Sequence, residues 1–240
     1  MLEIDRIYNA DCFEGMKQIE SGSIDCIVTD PPYVIEKHHG GGSVNKVKKL
    51  NDSLKQLDVA NLRDGYNMEA FAQEVKRLQG GKINAYIWCN KAQIADYFRI
   101  YVSEMKCKYE IICWHKKNAL PTYYNKYLSD TEYCLFFHKG SKTHPKDYED
   151  AKTYEVGYIN HKDKKLWGHP SIKPLELMQR FIRNSTNEGD LILDPFMGSG
   201  TTAIACMKEK RHFIGFELNE DYHKIAMKRI EYENSLQTIF

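Results

Sequence analysis

The 240-residue sequence predicts an α/β fold, a sheet covered by helices on both faces. Short apolar, β-branched runs at 24–29, 83–89, 109–115 and 132–137 alternate with stretches whose apolar residues recur at helical spacing. Two apolar runs stop on an acidic corner closed by proline, Asp30-Pro31-Pro32-Tyr33 and Asp194-Pro195-Phe196. The second corner leads into Gly198-Ser199-Gly200-Thr201-Thr202, small residues that let a backbone approach a ligand where a strand enters a helix.

Composition sets the outer bounds. No break in composition marks a linker, so residues 1–240 are expected to form one domain. A net charge of +1 and a pI near 7.6 exclude a protein that holds nucleic acid by bulk charge. The seven cysteines (12, 26, 89, 107, 113, 134 and 206) form no CxxC pair and sit mostly in apolar runs. They suit a reducing compartment and argue against a disulfide framework or a zinc site. The N-terminus lacks the charged-then-apolar pattern of a signal peptide, and no apolar run approaches membrane-spanning length. A soluble, cytoplasmic protein with no membrane partner is the expectation.

Taken in order, Ile4 to Tyr8 reads as a short edge strand, and Asp11 is placed to cap a helix running through Ile19. Strand 24–29 then delivers Asp30. Residues 34–66 have no sustained apolar period and hold His38-His39-Gly40-Gly41-Gly42 and the basic cluster Lys46, Lys48 and Lys49. A segment of that length is either a functional loop or a solvated one. No carboxylate or third histidine follows His38-His39 at ligand spacing, so no metal site is expected. Asn67 caps a helix bearing Met68, Phe71, Ala72, Val75 and Leu78, closed by Gly80-Gly81. A strand over 83–89 precedes a helix opened by Asn90, with Ile94, Tyr97, Phe98, Tyr101 and Val102 on one side.

Strands 109–115 and 132–137 follow, and between them Trp114 to Pro121 leads to Tyr123, Tyr124 and Tyr127. Lysines interleaved with tyrosines suit phosphates and bases, while the same tyrosines can cap a core. Residues 139–168 have mixed charge and no period, the pattern of a surface segment. Pro174 suits the first position of a helix that turns Leu175, Met178, Phe181 and Ile182 inward. Asn219 caps a terminal helix with Tyr222, Ile225, Ala226 and Ile230 inward.

The first corner has a distinctive donor and acceptor content. Each proline removes an N–H, so Asp30 and the Pro31 carbonyl present acceptors with few donors beside them, and Tyr33 adds a flat ring. A planar molecule bearing an NH2 group fits, its amino hydrogens held by two acceptors and its face stacked on Tyr33. An ordinary strand-ending turn uses the same residue types. The glycine loop also reads two ways. Gly198 to Ala203 fits the dinucleotide pattern G-x-G-x-x-A, and Glu217 ends the next strand about 20 residues on, as a ribose ligand does. A nicotinamide dehydrogenase is therefore a competitor, weakened because an Asp-Pro-Pro-Tyr corner has no role in hydride transfer.

Asp30-Pro31-Pro32-Tyr33 ahead of Phe196-Met197-Gly198-Ser199-Gly200-Thr201-Thr202 resembles the amino-group DNA methyltransferases that use S-adenosylmethionine, in their permuted (beta) group. The resemblance spans most of the chain and implies a single αβα sandwich around a mostly parallel, seven-stranded, Rossmann-like sheet. It implies transfer of a methyl group to N6 of an adenine flipped out of DNA, with cytosine N4 as the alternative and a catalytically silent DNA-binding relative as a further one. Asp30, Pro31, Pro32 and Tyr33 become the catalytic corner. Asp30, Phe196, Gly198, Gly200, Thr201, Thr202 and Glu217 become cofactor ligands. Asp11 is either a plain helix cap or a neighbour of the cofactor's adenine, and Lys173, in His169-Pro170-Ser171-Ile172-Lys173-Pro174, stands at its methionine end. Residues 139–168 take the place of target recognition and are short. With so few basic clusters, DNA binding by one copy is expected to be weak and to be improved by a homodimer or a separate specificity or endonuclease partner.

Overall fold

The computed structural model describes residues 2–33, 66–119, 127–159, 161–168 and 172–237. Its strands are β1 (Arg6–Tyr8), β2 (Cys26–Thr29), β3 (Ile83–Cys89), β4 (Lys108–Lys116), β5 (Thr131–Lys139), β6 (Tyr154–Gly157), β7 (Leu191–Asp194) and β8 (His212–Phe216). They form one sheet in the order β1-β8-β7-β2-β3-β5-β4-β6. Neighbours from β1 through β3 are parallel, β5 is antiparallel to both β3 and β4, and β6 is parallel to β4. The sheet is thus mostly parallel, with eight strands rather than the expected seven.

The additional strand, β6, comes from the segment read as unstructured surface. At the sheet edge it needs one neighbour and no buried apolar face, so main-chain pairing alone recruits it: Cys113 N–H donates to Thr153 O at 2.9 Å and Lys117 N–H to Gly157 O at 2.9 Å. A short helix, α4 (His161–Trp167), follows it, again where no period predicted one.

The helices before α4 are α1 (Cys12–Met16), α2 (Met68–Leu78) and α3 (Ile94–Tyr97), which runs on as a π-helix over Phe98–Glu104. After it come α5 (Leu175–Ser185), α6 (Thr201–Lys208) and α7 (Glu220–Gln237). Asn67 caps α2 as expected, its Oδ1 accepting from Ala70 N at 2.9 Å. Asn90 instead exchanges hydrogen bonds with Gln93, each side chain meeting the other's N–H at 3.2 Å, and the helix starts only at Ile94. The helix expected through Ile19 stops at Met16, and Pro174 sits one place before its helix, as N-cap rather than first helical residue.

Alternate residues of the central strands enter separate cores, as a strand's two-residue period requires. Ile27, Ala85 and Ile87 face Phe71, Val75, Tyr97 and Tyr101 of α2 and α3 with its π-helical extension. Val28, Tyr86 and Trp88 face Phe181 and Ile182 of α5 and Ala203 of α6. Phe136, Tyr86 and Phe181 stack in sequence at 4.2 and 4.5 Å. Among the described residues no helix is long and apolar enough to cross a membrane.

Chain direction positions the site. From β2 the chain passes to β3 on one side, and from β7 through α6 to β8 on the other, yet β2 and β7 are hydrogen-bonded neighbours. The crevice at such a switch point, outside the carboxyl ends of the strands, is where open α/β sheets bind ligands. Both acidic corners emerge there.

Candidate active site

The two corners are latched together beneath the crevice. Asp194, at the end of β7, accepts from Thr29 Oγ1 at 2.7 Å, from Thr202 Oγ1 at 2.5 Å and from Phe196 N–H at 3.1 Å. Burial pushes the Asp194 carboxyl up to about 6, against those hydrogen bonds, which pull it down. Thr202, expected to face a cofactor, turns its hydroxyl inward to this latch instead.

The Asp30 corner stands on a buried lysine. Lys173 Nζ lies 2.6 Å from Asp30 Oδ2, 2.9 Å from Glu132 Oε2 and 3.2 Å from the Tyr33 hydroxyl, to which it donates. Its charge also sits over the Trp88 ring at 4.9 Å and the Tyr33 ring at 5.5 Å. Burial alone would strip the proton from Lys173, but Asp30 and Glu132 together hold its pKa above that of a free lysine. Glu132 is paired on its other oxygen with Lys116. Although burial would raise the Glu132 pKa, Lys173 and Lys116 bring it down to about 2. Burial raises the Tyr33 hydroxyl well above 10, with Asp30 and Glu132 adding to the effect, so it stays a neutral donor. The Pro32 carbonyl accepts from Gln93 Nε2 at 3.1 Å, which fixes the corner's exit. Asp30 Oδ1 is buried and has no hydrogen-bond partner among the described residues.

The glycine loop forms the facing wall. Gly200 begins α6 at φ +81°, and a Cβ there would meet Ala226 Cβ and Cα of α7 at 3.1 and 3.2 Å, so the turn requires glycine. Arg229, buried on α7, clamps the loop: its Nη1 donates to Ser199 O at 2.6 Å, Ser199 Oγ at 2.9 Å and Thr201 Oγ1 at 3.1 Å. Glu217 accepts from Gly198 N–H on one oxygen and Asn219 N–H on the other, both at 2.8 Å, and burial raises its pKa. Phe196 is half-buried between Tyr66 and Phe71, at 5.2 and 6.0 Å. Asp11 caps α1, its Oδ1 accepting from Phe13 and Glu14 N–H at 2.9 and 3.1 Å.

The structure therefore gathers Asp30, Pro31, Pro32, Tyr33 and Lys173 on one side of the crevice and the loop from Phe196 to Thr202, with Glu217, on the other. Besides Thr202, it corrects a further expectation: Lys116, grouped with lysines suited to phosphates, turns inward onto Glu132 with only 14% of its side chain exposed. Lys117 packs on Tyr158 at 5.5 Å, and Tyr127 is exposed. The segment with His38, His39, Lys46, Lys48 and Lys49 lies outside the described residues, as do Pro121, Tyr123, Tyr124, His169, Pro170 and Ser171. Sequence reasoning missed Glu132, Gln93 and Arg229. An acid opening an apolar strand was the one signal for Glu132.

An acceptor-lined corner and a glycine loop facing each other across a switch point define a Rossmann-like methyltransferase crevice. The chain belongs to the N6/N4 DNA methylase family, which it matches over residues 24–228. It is 31% identical to the Type II methyltransferase M2.DpnII of Streptococcus pneumoniae over 250 residues, covering 95% of this chain and 90% of that one. The crystal structure of the M1.HpyAVI–SAM complex superposes with a TM-score of 0.67 at 27% identity, over 94% of this chain and 98% of that one. The cytosine-N4-specific PvuII DNA methyltransferase aligns with a TM-score of 0.64 over 93% of this chain and 85% of its own, and at 20% identity it bears on the fold alone.

Proposed function

We propose that this protein transfers a methyl group from S-adenosylmethionine to the exocyclic N6 amino group of an adenine flipped out of DNA. The observation that carries the reading is Asp30 Oδ1, a buried acceptor without a partner among the described residues, beside the Tyr33 ring at the ligand-binding edge of the sheet. An amino group would supply the missing donor. Asp30 Oδ1 and the Pro31 carbonyl would hold its two hydrogens and help localise the nitrogen lone pair for attack. Tyr33 would stack on the base, which has to leave the duplex to reach a corner this enclosed. As the nitrogen gains its fourth bond, positive charge develops on it, and the Asp30 carboxylate stabilises that charge and the departing proton. No cysteine nucleophile is required.

The facing wall fits the cofactor. Gly198 at φ +53° and Gly200 at φ +81° give the loop a left-handed backbone that side chains resist, and Gly200 packs directly on Ala226, which fixes the loop's shape at the strand end. Glu217 keeps lone pairs for ribose hydroxyls after accepting two N–H groups. With Asp11, Phe196 and Thr201 these residues would hold S-adenosylmethionine. When bound, it supplies an electrophilic methyl group on a sulfonium centre. The resemblance of the Asp-Pro-Pro-Tyr corner to adenine enzymes supports N6 over N4, since relatives that methylate cytosine more often carry Ser in place of Asp30. Residues 139–168 would take part in target recognition and residues 34–66 in contacts to DNA, within the same domain.

Incubating the protein with methyl-labelled S-adenosylmethionine and mixed-sequence DNA, then digesting to nucleosides for mass spectrometry, tests the reading. N6-methyladenine is the expected product. N4-methylcytosine would replace the substrate while keeping the mechanism, and label in neither base would refute the function.

A further inference from the structure

Around Asp30 lies a largely enclosed set of four charges, of which methyl transfer as derived above uses one. Asp30 comes from the end of β2, Lys173 from the approach to α5, Glu132 from the head of β5 and Lys116 from the end of β4. Two carboxylates and two ammonium groups sum to zero, which makes their burial tolerable. Neutrality alone does not require Glu132 and Lys116, because Asp30 and Lys173 already balance each other.

The geometry shows what the outer pair adds. Glu132 Oε2 lies 2.9 Å from the Lys173 ammonium, close enough to compete with Asp30 for its charge. Lys173 is thereby placed between two anions rather than delivered wholly to one. An ammonium bound to Asp30 alone would draw its negative charge toward Oδ2 and away from Oδ1, the oxygen without a partner among the described residues. It would also be free to swing across the carboxylate and cover that oxygen. With Glu132 as a second anion and Tyr33 accepting from it, Lys173 is anchored at Oδ2. Lys116 in turn holds Glu132 through its other oxygen.

We infer that Glu132 is a positioning residue for methyl transfer: it divides the field of Lys173 and anchors it, so that Asp30 Oδ1 remains a full-strength acceptor turned to the base. The inference rests on the role proposed for Asp30. Glu132 touches neither base nor cofactor in this account and acts through Lys173.

The test separates positioning from simple counter-charge. Glu132→Gln keeps the side-chain shape and removes the charge. Glu132→Gln combined with Lys116→Met returns the remaining pair to neutrality without restoring the division of Lys173's field. Three quantities are measured for each: single-turnover methylation rate, S-adenosylmethionine Kd by calorimetry, and melting temperature. Glu132→Gln is expected to slow methyl transfer about 10- to 100-fold, the range for partners that orient a reacting group through another residue, while the Kd changes less than about twofold. The double variant should recover melting temperature and remain slow. Recovery of rate together with stability would make Glu132 a mere counter-charge and overturn the inference, as would a wild-type rate in Glu132→Gln. If that single variant does not fold, the rate of the double variant decides by the same criterion. Absence of amino-group methylation by the wild type would instead refute the underlying function.

Discussion

Asp30 shows how one carboxylate can serve two demands: Oδ2 is held by Lys173 at 2.6 Å, and Oδ1 has no hydrogen-bond partner among the described residues. Replacing it with alanine leaves Lys173 still paired with Glu132, so the fold should survive while the reaction does not. Asp30→Ala is expected to reduce single-turnover methylation about 100- to 1000-fold with the fold, checked by circular dichroism, left intact. Near-normal turnover would end the proposed mechanism. Asp194 is the contrasting acid, structural rather than reactive. Its carboxyl is raised from 3.8 to about 6, so across that interval the native state binds a proton that the unfolded state has lost. Stability from this group is therefore present below pH 3.8 and declines as pH rises toward 6. Asp194→Asn removes the titration. Its melting temperature relative to wild type should climb between about pH 4 and pH 6 and level off above that. A difference that stays flat across the window would contradict the assignment.

At the scale of elements, the cofactor loop owes its shape to a helix that follows it in the chain. Three contacts from Arg229 of α7 and the close approach of Ala226 to Gly200 hold the turn from outside. Arg229→Met keeps much of the apolar stem but removes charge-assisted hydrogen bonds, each of which typically contributes about 1.5–3 kcal/mol. Weaker S-adenosylmethionine binding and a lower melting temperature are expected together, and unchanged calorimetric affinity would show that the loop shapes itself. Glu217→Ala should weaken the cofactor by about 1.5–3 kcal/mol, as for lost charge-assisted bonds to ribose hydroxyls. Calorimetry checks that directly, and unaltered affinity would place the ribose elsewhere.

At the scale of the whole molecule, a net charge of +1 leaves DNA binding to local faces. Turning Lys116 inward reduces them further. Each phosphate neutralised contributes about 0.9 to the salt slope on duplex DNA, so few contacts mean modest affinity at physiological salt. A short recognition sequence, and binding strengthened by dimerisation or a specificity partner, are the expected outcome. Sedimentation of the protein with and without DNA checks this, and tight, long-site binding by a demonstrated monomer would refute it. Replacing Lys46, Lys48 and Lys49 by alanine should lower affinity and flatten the salt dependence without altering cofactor binding. An unchanged slope would return that segment to a solvated loop.

Local chemistry was enough to read the order of strands and helices in the parallel half of the sheet. It also located both corners, because apolar period, asparagine caps, prolines and glycines act through their immediate neighbours in the chain. The strand over Ile83–Cys89 and the cap at Asn67 were legible for that reason. Strand β6 was not, since an edge strand is recruited by main-chain bonds to β4 and leaves little mark on its own residues. The latch from Thr29 to Asp194, the clamp from Arg229 and the charges around Lys173 were equally hidden. Their partners stand 165, 30 and 41 to 143 positions apart and meet only when strands and helices pack (Thr29–Asp194, Ser199–Arg229, Glu132–Lys173 and Asp30–Lys173). Which lysine faces DNA and which neutralises a buried acid depends on the direction of a side chain from the sheet, and identical residues at adjacent positions, Lys116 and Lys117, take different partners.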